Sequence, residues 1–198
     1  MNRRLIVLVT LMIGALTASA VAADRKVVAK TDSCEITAGD RDQEGNNLML
    51  CYCEWKAPIT SIKAIFKDSG EHDTYMTSVV ESTVLADGRV LQVHQADGIS
   101  DRQITLDFSE EEFEDGGYRV SWTRSPKQEP LASGRIDVPL DDGYWEVRPG
   151  QSGVNKVIYS LRYDPGGRVP AFIVRAFQKN GLAVLLNEME QVALKAKP

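Results

Sequence analysis

The sequence predicts an α+β domain in which a curved antiparallel β-sheet wraps one long C-terminal α-helix, with a small helical insert after an early strand. Three observations predict it. From Ser78 to Tyr163 the hydrophobic period is two, in short runs closed by turn residues; from Pro170 to Lys195 it is that of a helix; and no internal repeat or linker separates the two. A sheet that is apolar on one face must cover it. A concave sheet closed by one helix does so while leaving space between them, a natural hollow for a ligand.

The chain opens with an address rather than with fold. Arg3 and Arg4 precede an uncharged, mostly apolar run from Leu5 to Thr17, followed by Ala18-Ser19-Ala20 and Ala20-Val21-Ala22, the order of a secretory signal with its cleavage site. That run is shorter than the roughly 20 residues needed to span a bilayer, and no Cys follows it to carry a lipid anchor. Residues 1–23 are therefore read as a cleaved signal peptide and 24–198 as a single exported domain, periplasmic or secreted. Losing both arginines leaves 21 basic against 28 acidic residues, a net charge of −7.

Composition excludes several classes. With 43% hydrophobic and 26% charged residues, 15 Gly and 8 Pro, the chain is neither disordered nor collagen-like. After the leader there is no basic block with which to neutralise phosphates, so nucleic acid is not an expected partner. Cys34, Cys51 and Cys53 fall within one short stretch, and in an oxidising compartment two of them should pair. Cys51 and Cys53 sit two apart on one strand, pointing the same way near the limit of disulfide reach, so the expected bond joins Cys34 to Cys51 or Cys53. Such a cross-link contributes about 3 kcal/mol on the chain-entropy estimate.

The elements follow in order. Val27–Thr37 and Leu48–Trp55, rich in β-branched, aromatic and Cys residues, read as a hairpin around the polar Gly39–Asn47 segment. Pro58 then opens a short helix that spaces Ile59, Ile62, Ile65 and Phe66 at helical intervals, with another turn near His72–Met76. Strands are expected near Ser78–Leu85, Val90–Ala96, Asp101–Phe108, Tyr118–Ser125, Arg135–Val138, Tyr144–Arg148 and Lys156–Tyr163. The turns between them are Asp87-Gly88, Asp97-Gly98, Asp115-Gly116-Gly117, Asp142-Gly143 and Gln151-Ser152-Gly153. In the last helix Ile173, Phe177, Val184, Leu185, Met189 and Val192 approximate one stripe, and Gly181 marks a possible bend.

Alternation assigns the faces. Arg102 is in phase with Ile104, Leu106 and Phe108, and Arg124 with Tyr118, Val120 and Trp122. Pairing Phe108 with Tyr118 sets Leu106 against Val120, Ile104 against Trp122 and Arg102 against Arg124. Two guanidinium groups then converge at one end of an apolar wall and need a negative partner, either an inward acid such as Glu81 or the anionic group of a ligand. On the last strand Val157, Tyr159, Leu161 and Tyr163 face the helix, Trp145 and Val147 extend the wall, and the Tyr159 hydroxyl either orients a ligand or satisfies a carbonyl. The candidate ligand-binding set is Arg102, Arg124, Ile104, Leu106, Val120, Trp122, Trp145, Tyr159, Leu161 and Phe177.

No catalytic constellation is recognisable. His72 and His94 are too far apart for an H-E-x-x-H site and read as surface or internally satisfied residues; no G-x-S-x-G elbow or phosphate-cradling loop is present, and nothing asks for a cofactor or metal.

Three segments resemble START-related lipid-transfer domains. Ile99-Ser100-Asp101-Arg102 resembles the start of a middle strand of that family, although Gln103 stands where the family has Asp. Tyr144 to Pro149, Lys156 to Tyr159 and the Asp164-Pro165-Gly166-Gly167 turn leading to Pro170 resemble its closing strands and the passage into its last helix. Tyr75 to Leu85 resembles the segment entering its main sheet. The likeness spans about Leu48 to Val192. It implies a helix-grip fold of the START-like (SRPBCC) kind, with a tunnel for a lipid or other hydrophobic small molecule and transient membrane contact if cargo is delivered. The family's inward arginine corresponds to Arg102; none corresponds to Arg124. Related helix-grip proteins include cyclases and hydratases, so acid-base chemistry by Glu81, Tyr159 or Arg102 is the alternative, beside an exported interaction module with no small ligand. The Gly166-Gly167 pair further suggests that the helix lifts to admit a ligand, with Pro126–Gly134 as the opposing lip.

Overall fold

A computed structural model describes residues 25–43 and 45–196; the expected signal peptide lies outside them. Among the described residues ten strands build one sheet: β1 (Lys26–Lys30), β2 (Cys34–Arg41), β3 (Asn47–Trp55), β4 (Val79–Val84), β5 (Val90–His94), β6 (Arg102–Glu112), β7 (Tyr118–Arg124), β8 (Ile136–Asp137), β9 (Leu140–Arg148) and β10 (Asn155–Asp164). Their order is β1-β2-β3-β10-β9-β7-β6-β5-β4, antiparallel throughout, with the short β8 added parallel to β6. Helix α1 (Ile59–Lys67) starts directly after Pro58, α2 (His72–Tyr75) is one turn, and the chain ends in α3 (Ala171–Ala176) and α4 (Leu182–Lys195), joined by a π-helical turn at Phe177–Gly181. The α+β helix-grip architecture read from the sequence is the one observed.

The inward faces also agree. Tyr118, Val120 and Trp122 of β7 and Val157, Tyr159 and Leu161 of β10 are buried, as are Trp145 and Val147 of β9. Against them pack Ile62, Ile65 and Phe66 of α1 and Leu182, Leu185, Leu186 and Met189 of α4.

Four local expectations are corrected. The first predicted strand is two, because Thr31 accepts the Cys34 and Ser33 amides on its hydroxyl, at 2.9 and 3.3 Å, and turns β1 back along β2. Second, Asp142-Gly143 is not a turn but lies inside β9. A Cβ on Gly143 would stand 2.1 Å from the Ser160 carbonyl oxygen and 2.7 Å from the Trp122 ring, so glycine serves close approach there. Third, β6 runs on to Glu112 and the turn is only Phe113–Gly117, which slips the β6–β7 register: Leu106 faces Arg124, Phe108 faces Trp122, and Glu112 faces Tyr118. The acidic Glu110–Glu112 segment is a solvated strand end, with Glu110 and Glu112 near Lys67 and Glu111 near Arg119. Fourth, Val184 is 48% exposed while Leu182 and Leu186 are buried. The π turn adds a residue and rotates the following stripe by about 100°.

Cys34 and Cys53 are cross-strand neighbours, 4.1 Å apart at Cα, and form a disulfide; Cys51 is buried and free. No helix among the described residues is long and apolar enough to cross a membrane.

Candidate ligand cavity

Between the concave face of β5, β6, β9 and β10 and the helices α2, α3 and α4 lies a cavity of about 130 Å³, partly open to solvent. Its walls are apolar and largely aromatic. Tyr159 stacks between Trp145 and Trp122, with ring centroids 4.2 and 5.8 Å away, and Phe108 continues the row 6.3 Å beyond Trp122. Met49, Leu106 and Leu161 complete the sheet side; Ile173, Val174, Phe177 and Leu185 close it from the helix. Ala96 and Ile99 of the β5–β6 turn and Pro165 and Val169 before α3 also line it.

Of the ten candidate residues, the cavity brings together Arg102, Leu106, Trp122, Trp145, Tyr159, Leu161 and Phe177. Ile104 and Val120 are buried in the core without lining it. Arg124 does not meet Arg102. The slipped register sets Arg102 opposite His94 and Ile136, whereas the Arg124 guanidinium donates to the Val138 carbonyl at 2.8 Å and pairs with Asp137 at 3.0 Å. Arg124 therefore has an internal partner and no place at the cavity. Glu81 is likewise turned outward to Arg135. The loop Pro126–Gly134 is not the opposing lip: Gln128 is held by the Thr105 amide and carbonyl, and Pro130 by the Gln103 side chain, so the loop covers the outer face of β6.

Arg102 is 5% exposed. Its guanidinium donates to the Pro165 carbonyl at 3.3 Å and to the Ser100 carbonyl, bracing the turn before α3 against the start of β6. None of the ion pairs among the described residues gives it a carboxylate, so a buried positive charge borders the hollow.

Sequence reasoning missed the polar residues beside it. His94, Gln92, His72, Asp141 and Tyr163 all line the cavity. The Trp122 indole donates to Asp141 Oδ1 at 2.7 Å; Asp141 Oδ2 lies 4.0 Å from His94 Nδ1, which is 3.2 Å from the Tyr163 hydroxyl. Burial pushes the Asp141 carboxyl up to about 7, against the opposing pull of the Trp122 bond and helped by the nearby Asp142 charge. Burial also holds His94 and His72 down at about 4, with His94 adding a smaller repulsion on His72. It raises the Tyr159 and Tyr163 hydroxyls well above their ordinary range. Between about pH 4 and 7 this part of the wall is thus rich in hydrogen-bonding groups but poor in charge.

A concave sheet, a gripping terminal helix and an aromatic-walled interior define a helix-grip protein with an internal site. No model of a known protein family matches the chain. An uncharacterised protein of Pseudomonas aeruginosa is 22% identical over 148 residues, which cover 75% of this chain; the chain spans 63% of the length of that curated relative. Among solved structures, a STAR-related lipid transfer protein fragment from Xanthomonas axonopodis superposes with a TM-score of 0.75 at 18% identity, over 85% of this chain and 98% of the other. Human StAR-related lipid transfer protein 5 superposes with a TM-score of 0.79 at 12% identity, over 87% of each chain. At these identities the likeness is one of fold: the chain has the START fold.

Proposed function

We propose that this protein is an exported binder of a lipid or other hydrophobic small molecule, held in the cavity between the sheet and the C-terminal helix. The observation that carries the reading is the aromatic-walled hollow bordered by Arg102, a buried guanidinium without a carboxylate partner. The START fold, which two lipid transfer proteins share, supports the ligand class. Export is supported by the leader-like first 23 residues and by the Cys34–Cys53 disulfide, a bond that persists in oxidising compartments.

Leu106, Trp122, Trp145, Tyr159, Leu161 and Phe177 supply the apolar contact in this reading, and Arg102 offers its remaining N–H groups to a polar end of the cargo. Delivery of that cargo would add a transient contact with a membrane. The test is mass spectrometry of organic extracts from natively purified protein. A co-purifying hydrophobic molecule, released on denaturation, is expected. Absence of any such molecule, together with failure of added lipids to bind, refutes the proposal, and chemical conversion of added ketones or polyketides would move it to the cyclase or hydratase class.

A further inference from the structure

Sulfur is unevenly placed in this molecule. Among the described residues Cys34 and Cys53 are joined, Cys51 is free, and the methionines are Met49, Met76 and Met189. Of these, Met49 and Met76 line the cavity, one from β3 and the other from the end of the α2 turn. They are 2% and 6% exposed, so an oxidant meets them through the hollow, which is partly open to solvent. Met189 is buried in the core and does not line it. Cys51 does not line it either, and burial pushes its thiol up to about 12, which keeps it protonated and unreactive. A thioether needs no deprotonation, so the methionines are the sulfurs that an oxidant in the cavity finds.

One turn before Met76 stands an N–H without a partner. The Ser82 hydroxyl spends its proton on the Ser69 carbonyl at 2.6 Å, so its oxygen accepts from the Gln92 side-chain nitrogen at 3.0 Å. The second hydrogen of that nitrogen goes to His72 Nδ1 at 2.9 Å. Neutral His72 therefore carries its proton on Nε2, a buried atom with no hydrogen-bond partner among the described residues. His72 lines the same cavity and precedes Met76 by one helical turn, which the Met76 amide closes on the His72 carbonyl at 2.8 Å. The wall thus offers sulfur electron pairs and an unspent donor from one turn of chain.

We propose that Met49 and Met76 are a modification site, taking oxygen from organic hydroperoxides that enter the cavity, and that the resulting sulfoxides expel apolar cargo. This rests on the cavity being a ligand site. The sulfur attacks the terminal oxygen of R–O–O–H; the S–O bond forms as the O–O bond breaks, and the hydroxyl proton ends on the departing alkoxide as R–OH. Sulfur gives up the electron pair that the hydroperoxide gains, so no further reactant is needed. The His72 Nε2 proton is the wall's donor for the charge that builds on the departing oxygen. Oxidation turns an apolar surface into a polar, chiral one and places an extra atom in a hollow of about 130 Å³. Apolar cargo then loses both contact and room.

The cavity is close in size to one of about 150 Å³ that takes up benzene. tert-Butyl hydroperoxide, which has as many non-hydrogen atoms as benzene, fits such a space but is too bulky to permeate a packed core. Native protein is treated with it at pH 7, and the gain of about 16 Da at each methionine is followed by peptide mass spectrometry, with the urea-unfolded chain as reference. Relative to that reference, Met49 and Met76 should react at least tenfold faster than Met189. Saturating ethylbenzene should slow both at least threefold and leave Met189 unchanged. In calorimetric titration ethylbenzene should bind about tenfold more weakly after oxidation, whereas the volume-conserving double variant Met49→Leu/Met76→Leu should hold its affinity through the same treatment. Cavity methionines no faster than Met189, no protection by ethylbenzene, affinity within twofold after oxidation, or an equal loss in the double variant each overturn the proposal, and ethylbenzene binding to untreated protein then leaves the cavity reading intact. Failure of untreated protein to bind ethylbenzene overturns both.

Discussion

Asp141 and the two histidines impose opposite pH dependences on stability. The Asp141 pKa rises on folding to about 7, so the native state keeps a proton that the unfolded chain releases; its contribution is fullest below about pH 4 and is lost as pH climbs to 7. His72 and His94 have pKa values lowered to about 4, so the unfolded chain takes up protons that the native state refuses, and their contribution is lost as pH falls from about 6.5 toward 4. Between those limits two histidines oppose one carboxyl. These three groups then raise stability by about 1.4 kcal/mol per pH unit, the value for one proton. Asp141→Asn keeps an acceptor for the Trp122 indole and removes the opposing titration, so urea denaturation between about pH 4.5 and 6.5 should give a slope steeper than wild type by a further proton. Equal slopes would mean that Asp141 ionises normally. None of this was legible in the sequence. Asp141 stands in an Asp-Asp-Gly run that has the composition of a turn, and β5 carries apolar residues on both faces, Val90 on one and Leu91 and Val93 on the other, so alternation could not place Gln92 or His94. Cys34, by contrast, was legible as a disulfide partner, but the choice between Cys51 and Cys53 needed the register, because both share one face of β3.

Element types were readable wherever period and punctuation agreed, as in β7, β10, α1 and the terminal helix; register and phase were not. The β6–β7 slip preserves every inward residue and still separates Arg102 from Arg124, because a shift by an even number of residues changes rows without changing faces. The π turn at Phe177–Gly181 is the second such case. Gly181 has ordinary helical dihedrals, with φ at −62°, so backbone freedom does not explain it. A Cβ there would lie 2.8 Å from the Phe177 ring, and that ring lines the cavity and sits 5.9 Å from the ring of Tyr163. Gly181→Ala gains up to about 1 kcal/mol of helix propensity and spends it displacing the ring. We expect a melting temperature within about 3 °C of wild type but a change of at least threefold in the affinity for ethylbenzene, a probe of the cavity's size, measured by calorimetric titration. An unaltered affinity would show that the Phe177 ring yields without reshaping the hollow.

At the scale of the whole molecule the volume of the cavity sets a condition on its use. About 130 Å³ accommodates a benzene-sized group, whereas drug-sized ligands occupy sites of roughly 300–1,000 Å³. A lipid can be taken up only if part of the enclosure moves. The two halves of the terminal helix are held very differently. In α4 the side chains of Leu182, Leu185, Leu186, Met189 and Ala193 are buried in the core, whereas α3 carries Phe172 at 65% exposure and touches the cavity only through Ile173 and Val174. The π turn lies between these halves, and the Gly166-Gly167 pair, with φ of 66° and 65°, lies at the other end of α3. Arg102 bonds the Pro165 carbonyl and so latches that end to the sheet. The segment fit to move is therefore α3, pivoting on the π turn while α4 stays docked, with the β5–β6 turn as the fixed lip. Local opening of this kind is visible in amide hydrogen exchange. Amides of α3 should exchange at least a hundredfold faster than those of Leu185–Met189, and saturation with a long-chain alcohol should slow α3 selectively. Exchange of α3 and α4 at one common rate, with and without the alcohol, would require the whole helix to leave the sheet together or the cargo to be no larger than the hollow it already finds.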